Sequence, residues 1–278
     1  MPKELAMKSI HNDKITAVSN LNDLSQEKVL SMMNNIKEQS QQLTDIKQFY
    51  DEFEYFRTLN FEINGLINDI KKDPNKIFEL QHLSRLVARY SYAFRDFVTF
   101  SDQYAVKHNS ANLKENLISI QFDNFYEYRL AYTLGNFVKH VSQLVPISDN
   151  FDEHTYDFFI RIDRTAEIYD KASGQDKKTL QEKTELDLLD FLDVTMECVF
   201  DQTQCIVKQI FVDDKAYEYF KTTDKFIYDY GMPCYIENKK IQLFNYDVTY
   251  LGQEVVKIIN EFGISKIRTP KKTLPINN

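Results

Sequence analysis

Tryptophan is absent from this 278-residue chain, and glycine and proline number only 6 each. So few turn formers exclude a many-stranded sandwich, which needs a turn signal about every 8–12 residues. Cysteine is scarce as well. Cys198, Cys205 and Cys234 are odd in number and form no Cys-x-x-Cys, so a disulfide framework or a zinc site is not expected. Free thiols fit a reducing compartment. No apolar run approaches the roughly 18 residues of a membrane span. The opening MPKELAMKSIHNDK has no apolar signal core. The expectation is a cytoplasmic protein without a membrane partner. Positive charge is also in deficit, with 34 Lys and Arg against 42 Asp and Glu, a net charge of −8. That excludes a general nucleic-acid coat protein but leaves room for a local basic site. There is no glycine-rich phosphate loop and no G-x-S-x-G elbow. The histidines, His11, His82, His108, His140 and His154, show no metal-ligand spacing. No cofactor and no metal are expected.

Present in abundance are 17 Tyr and 21 Phe, within a hydrophobic share of 43%. A chain of this size and composition can bury a large core without covalent staples. Periodicity predicts a mainly α fold built from long antiparallel helices. Val29, Met32, Ile36, Leu43, Ile46, Tyr50 and Phe53 keep helical spacing, with Gln39 to Gln42 marking a bend or a solvated face, and the signal persists to about Lys72. Asp73-Pro74 reads as a helix restart. Leu80, Leu83, Val87, Tyr90, Phe94 and Phe97 then form the cleanest stripe in the chain, predicting a helix to about Asn109.

A short helix is expected over 112–120 and another over 123–141, stopped by Pro146. Residues 148–178 read as loops around a short helix or extended pieces. Leu186, Leu189, Leu192, Met196 and Val199 predict a further helix, with Asp190, Asp193, Glu197 and Asp201 as a solvated acidic face. Cys234–Ile236 and Ile241–Phe244 flank a turn and predict a minor C-terminal β-hairpin, followed by a short helix near 249–261. The expected organisation is a flexible arm over 1–22, a helical domain over 23–212, a small α+β extension over 213–265 and a flexible tail over 266–278.

The most informative stretch is Tyr128-Arg129, then Leu134-Gly135-Asn136-Phe137, His140 and Pro146-Ile147. It resembles the second core helix of HEPN domains, closest to a bacterial subgroup. His82 to Asp96, ending Tyr92-Ala93-Phe94-Arg95-Asp96, resembles the helix that precedes it. The resemblance covers about residues 75–148, the core of a HEPN-like helical bundle spanning 23–212. It departs from the pattern at Gly135, which stands where the family's catalytic arginine belongs.

The resemblance implies metal-free RNA chemistry in which a histidine handles a proton and an arginine holds the phosphate, usually in a cleft shared by two protomers. His140 and Asn136 are the residues so implicated, and no guanidinium comes from Gly135. Residues 129, 133, 136 and 140 share one helix face. Arg129 and Thr133 on that face, together with Lys139, are therefore candidates for RNA or phosphate binding. A mid-helix glycine costs about 0.8–1.0 kcal/mol relative to alanine. Close approach of another helix backbone, or drift after loss of catalysis, would account for it.

Three functions remain open on the sequence. One is a dimeric HEPN-like protein without cleavage activity that binds RNA, a nucleotide or a protein partner, in a bacterial defence or toxin–antitoxin setting. Another is an endoribonuclease that uses His140 with Arg129 or Lys139 as substitute charge. The last is a helical interaction module with no nucleic-acid role. On the first reading, Gly135→Arg is expected to restore cleavage.

Overall fold

The computed structural model describes residues 4–9, 12, 14–21, 23–73, 79–151, 156–210, 216–237, 240–243 and 257–263. In chain order these form β1 (Glu4–Lys8), β2 (Ile15–Ala17), α1 (Gln26–Lys72), α2 (Leu80–Lys107), α3 (Ala111–Leu113) and, after one π-helical stretch (Lys114–Ile118), α4 (Ser119–Asn124). There follow α5 (Tyr126–His140), β3 (Ile147–Phe151), β4 (Tyr156–Arg161), α6 (Ile162–Ile168), α7 (Gly174–Glu182), β5 (Glu185–Asp187) and α8 (Leu188–Lys208). The last are α9 (Ala216–Tyr230), β6 (Met232–Glu237) and β7 (Lys240–Leu243). The fold is mainly helical, as the periodicity predicts. Among the described residues no helix is long and apolar enough to cross a membrane.

The chain forms two compact units, one from 1–50 with 206–278 and one from 51–205. In the first, a sheet has the order β2-β1-β6-β7, all neighbours antiparallel. Ala6 pairs with Cys234, and Leu5, Ala6, Met7 and Cys234 are buried. Residues 4–8 are thus an interior strand where the sequence reading expects a loose arm. The segment is too short to show a period, and its partner lies at the far end of the chain. The predicted hairpin is present as β6 and β7, entered through Gly231 at φ +93°, a conformation that suits glycine. The short helix expected near 249–261 is described only over 257–261. The tail over 266–278 and the Pro74 restart lie outside the described residues.

The second unit is built on an aromatic centre. Phe56, on α1, meets Tyr90, Phe94 and Phe97 of α2 edge-on, at ring-centroid distances of 5.5, 6.2 and 5.7 Å. Phe94 meets Tyr128 of α5 at 5.0 Å, and Tyr90 meets Phe191 of α8 at 6.1 Å. These are the edge-to-face arrangements that ring quadrupoles favour. The α2 stripe read from sequence is the face that packs: Leu83, Val87, Tyr90, Phe94 and Phe97 are all buried.

Several polar side chains in this core pair with one another. Tyr90 Oη and Thr195 Oγ1 share a hydrogen bond of 2.8 Å. Gln202 Nε2 donates to Gln121 Oε1 at 2.7 Å and to Tyr128 Oη at 2.9 Å. Burial raises the pKa of both tyrosines above the ordinary phenol value.

Helix α8 departs from its predicted stripe. Leu189 is exposed, whereas Leu188, Phe191, Leu192, Cys198 and Val199 are buried. Asp190, Asp193 and Glu197 are solvated, and among the described residues no group of acids, cysteines or histidines could hold a metal ion. A three-stranded antiparallel sheet, β3-β4-β5, together with α6 and α7, fills the stretch read as mixed.

Burial, and then Asp201 and Glu197, push the Cys198 thiol up to about 12, and burial also raises Cys234. Only thiolate reacts quickly with alkylating agents. Iodoacetamide at pH 8 is therefore expected to label Cys205, which is partly exposed, well before Cys198 or Cys234. Peptide mass spectrometry of native and denatured samples checks this; rapid native labelling of Cys198 would contradict it.

Candidate functional site

Helix α5 packs along α2, with Tyr128 meeting Phe94 ring to ring, and Leu130, Leu134 and Phe137 of α5 are buried. Closeness of the two backbones is the reason for Gly135. A Cβ at this position would lie 2.5 Å from the Ser91 carbonyl oxygen and 2.5 Å from Arg95 Cβ. The neighbouring backbone that position 135 accommodates belongs to α2 of the same chain.

The aliphatic part of Arg95 crosses α5 over this glycine. Its Nε then donates to Asn136 Oδ1 at 2.7 Å, and Nη1 donates to Asp96 Oδ1 at 2.7 Å. From its other side Asn136 makes long contacts to Asp176, with Nδ2 3.4 and 3.5 Å from the two carboxylate oxygens. Thr133 Oγ1 donates to Asp176 Oδ1 at 3.0 Å. Asp176 stands in the first turn of α7, where Ser173 Oγ caps the helix by accepting from Asp176 N at 3.1 Å. A carboxylate here is favoured by the unpaired N–H groups and the helix dipole. The result is a largely buried chain of polar groups, Arg95–Asn136–Asp176–Thr133, that fastens α7 to α5 and α2.

Beside this chain opens a groove of about 990 Å³. Tyr132, Asn136 and His140 of α5 line one side, Tyr169, Lys171 and Gln175 the other, and Phe122 and Asp170 also contribute. Tyr169 meets Phe137 at 5.8 Å between ring centroids. His140, in the last turn of α5, is exposed at the rim next to Val141. The groove therefore offers aromatic surfaces, amide groups and an imidazole, with Asp170 and Asp176 as its carboxylates.

No protein-family model, curated protein or solved structure matches the chain.

The polar face read on α5 is real but unevenly used. Thr133, Asn136 and His140 come together in the groove. Arg129 does not join them. Its Nη1 donates to the carbonyls of Phe122 and Asp123, both at 3.0 Å, and its Nη2 to Glu182 Oε2 at 2.8 Å. The guanidinium also lies 5.7 Å from the Tyr126 ring centroid. Arg129 is a clasp between α5, α4 and α7. Lys139 is exposed but outside the groove lining.

Sequence reasoning did not single out Arg95, Asp176, Tyr132 or Tyr169 for the site. Arg95 was legible only as part of the upstream helix. Asp176 carries a weak signal, since Ser173-x-x-Asp176 has the spacing of a helix cap.

Proposed function

We propose that this protein is a HEPN-like RNA-binding protein that does not cut RNA. The observation that carries the reading is the close contact of Gly135 with α2. No side chain can stand at that position without displacing backbone. Asn136, the other implicated partner of His140, has its carbonyl oxygen taken by Arg95. His140 is thus left without a charge-stabilising guanidinium from position 135. Loss of such a group typically costs about 10²–10³ in rate.

Support for a binding role comes from the groove itself. Unpaired RNA bases are recognised by stacking on aromatic rings and by hydrogen bonds to their edges. Tyr132 and Tyr169 supply rings, Asn136, Gln175 and His140 supply polar edges, and Lys171 supplies charge. Homodimerisation through α5, which the resemblance implies, can engage the exposed His140 end, because Thr133 is buried and Asn136 only half-exposed. Analytical ultracentrifugation tests it.

The decisive experiment incubates the full chain with a fluorescent single-stranded RNA of mixed sequence. The expected result is salt-dependent binding with no cleavage, and binding weakened by about tenfold in His140→Ala or Tyr132→Ala, the size of one lost base stack. Absence of binding would favour the interaction-module reading, to which the net charge of −8 lends weight. Arg95 is the one observation favouring a ribonuclease, since it brings a guanidinium to Asn136 from another helix. Cleavage abolished by both His140→Ala and Arg95→Ala would replace the binding reading with that one.

A further inference from the structure

A second groove, of about 470 Å³, opens on the same unit and shares no lining residue with the first. Its walls include Arg85, Arg89, Tyr92 and Asp96 of α2, Glu52 and Tyr55 of α1, Val138 of α5 and Gln143 in the segment after it. We infer that this groove is a binding site for a nucleoside 5′-monophosphate, with the phosphate held by Arg85 and Arg89 and the base against Tyr92 and Tyr55.

Arg85 and Arg89 are one helical turn apart, which sets their Cβ atoms about 5–6 Å apart on one face. Both are exposed, and neither has an ion-pair or hydrogen-bond partner among the described residues. That is unusual in a chain with an excess of eight negative charges, where most arginines find a carboxylate. Arg57, Arg95, Arg129, Arg161 and Arg164 all do. Two adjacent unpaired guanidiniums form a fork that matches the oxygens of a phosphate.

The aromatic lining narrows the ligand further. Tyr55 is 42% exposed and Tyr92 39% exposed, and both face the groove that holds the arginines. Exposed rings beside a phosphate fork suit a base, which stacks on aromatic faces and on guanidinium planes. The volume lies within the range usual for small-ligand sites, about 300–1,000 Å³. A bare phosphate would leave the rings idle.

The two carboxylates in the groove do not occupy the fork. Asp96 accepts from Arg95 at 2.7 Å. Glu52 makes no ion pair among the described residues, and its pKa is raised by burial first and then by Asp96 and Asp51. A phosphate in the groove would meet Glu52 as a like charge, so Glu52→Gln should tighten binding.

Titration calorimetry on the full chain tests the site, using AMP, GMP, CMP and UMP with adenosine and inorganic phosphate as fragments. At least one monophosphate should bind with a Kd of about 10 µM to 1 mM, the range expected of a ligand this size. Adenosine and phosphate should each bind at least about tenfold more weakly. Arg85→Gln, Arg89→Gln and Tyr92→Ala should each weaken binding about tenfold or more. Glu52→Gln should strengthen it, and His140→Ala, in the other groove, should leave it unchanged. All five positions are at least partly solvent-exposed, so unaltered circular dichroism is expected. Absence of binding by all four monophosphates overturns the proposal. So does binding indifferent to Arg85 and Arg89, or inorganic phosphate binding as tightly as the nucleotides. Because His140→Ala separates the grooves, failure here leaves the RNA reading standing, and failure of that reading leaves this one.

Discussion

Gly135→Arg is expected to give a less stable protein that still does not cut RNA. On sequence alone the substitution supplies the one residue missing from the HEPN-like pattern and is expected to confer cleavage. The structure reverses that expectation. The first atom of any side chain at 135 meets the Ser91 carbonyl oxygen and Arg95 Cβ at 2.5 Å. One is backbone and the other is the rigid root of a side chain, so neither yields by a simple rotamer change. Overpacking of a well-packed contact costs about 1–3 kcal/mol. Any part of the guanidinium that this contact holds out of water adds a desolvation cost of several kcal/mol.

A total loss of about 4 kcal/mol or more is therefore expected for arginine. For Gly135→Ala the steric cost of about 1–3 kcal/mol is partly offset by the roughly 1 kcal/mol that alanine gains in a helix. Chemical denaturation of the purified variants measures both. An arginine variant as stable as the parent, or one that cuts RNA, would show that α2 and α5 separate easily, and the reason given for Gly135 would fail.

Phe56→Ala should be comparably severe. This ring is fully buried and touches three aromatic rings of α2, two of which reach on to Tyr128 of α5 and Phe191 of α8. Truncating a buried phenylalanine typically costs about 3–5 kcal/mol, the upper part when neighbours cannot collapse into the space. Here the neighbours are large rings held in edge-on contact, and Tyr90 is also tied by its hydrogen bond to Thr195. The upper half of the range is expected. Phe61→Ala, on the same helix but 79% exposed, is the matching control and should change stability by less than about 0.5 kcal/mol. Equal losses in the two variants would mean that the aromatic centre is not where this unit derives its stability.

How far the sequence could be read depended on the range of the interactions involved. Helix α2 was legible because its buried face repeats every three or four residues, and that period survives without knowledge of any partner. Strand β1 was not legible, since five residues carry too few alternations. Its place in the sheet is set by Met232–Glu237, a segment that no local pattern connects to it.

Within the groove, His140 and Asn136 could be picked out by their helical spacing and by the pattern they resemble. Arg95 and Asp176 could not, because their roles come from α2 and α7 folding back on α5. Gly135 lies between these cases. Its oddity was visible as a mid-helix glycine in a chain poor in glycine, and backbone approach was one of the two explanations open. Which helix approaches, and what occupies the space, required the fold.

The pairing of Glu4 with Ile236 also bears on how the chain is made. β1 leaves the ribosome well before its neighbour β6, which is synthesised more than 200 residues later. At about 5–20 residues per second that is a wait of roughly 10–40 s or more. Residues 51–205 are contiguous and can pack during that interval. The sheet cannot, so β1 must await β6 before its edge is filled.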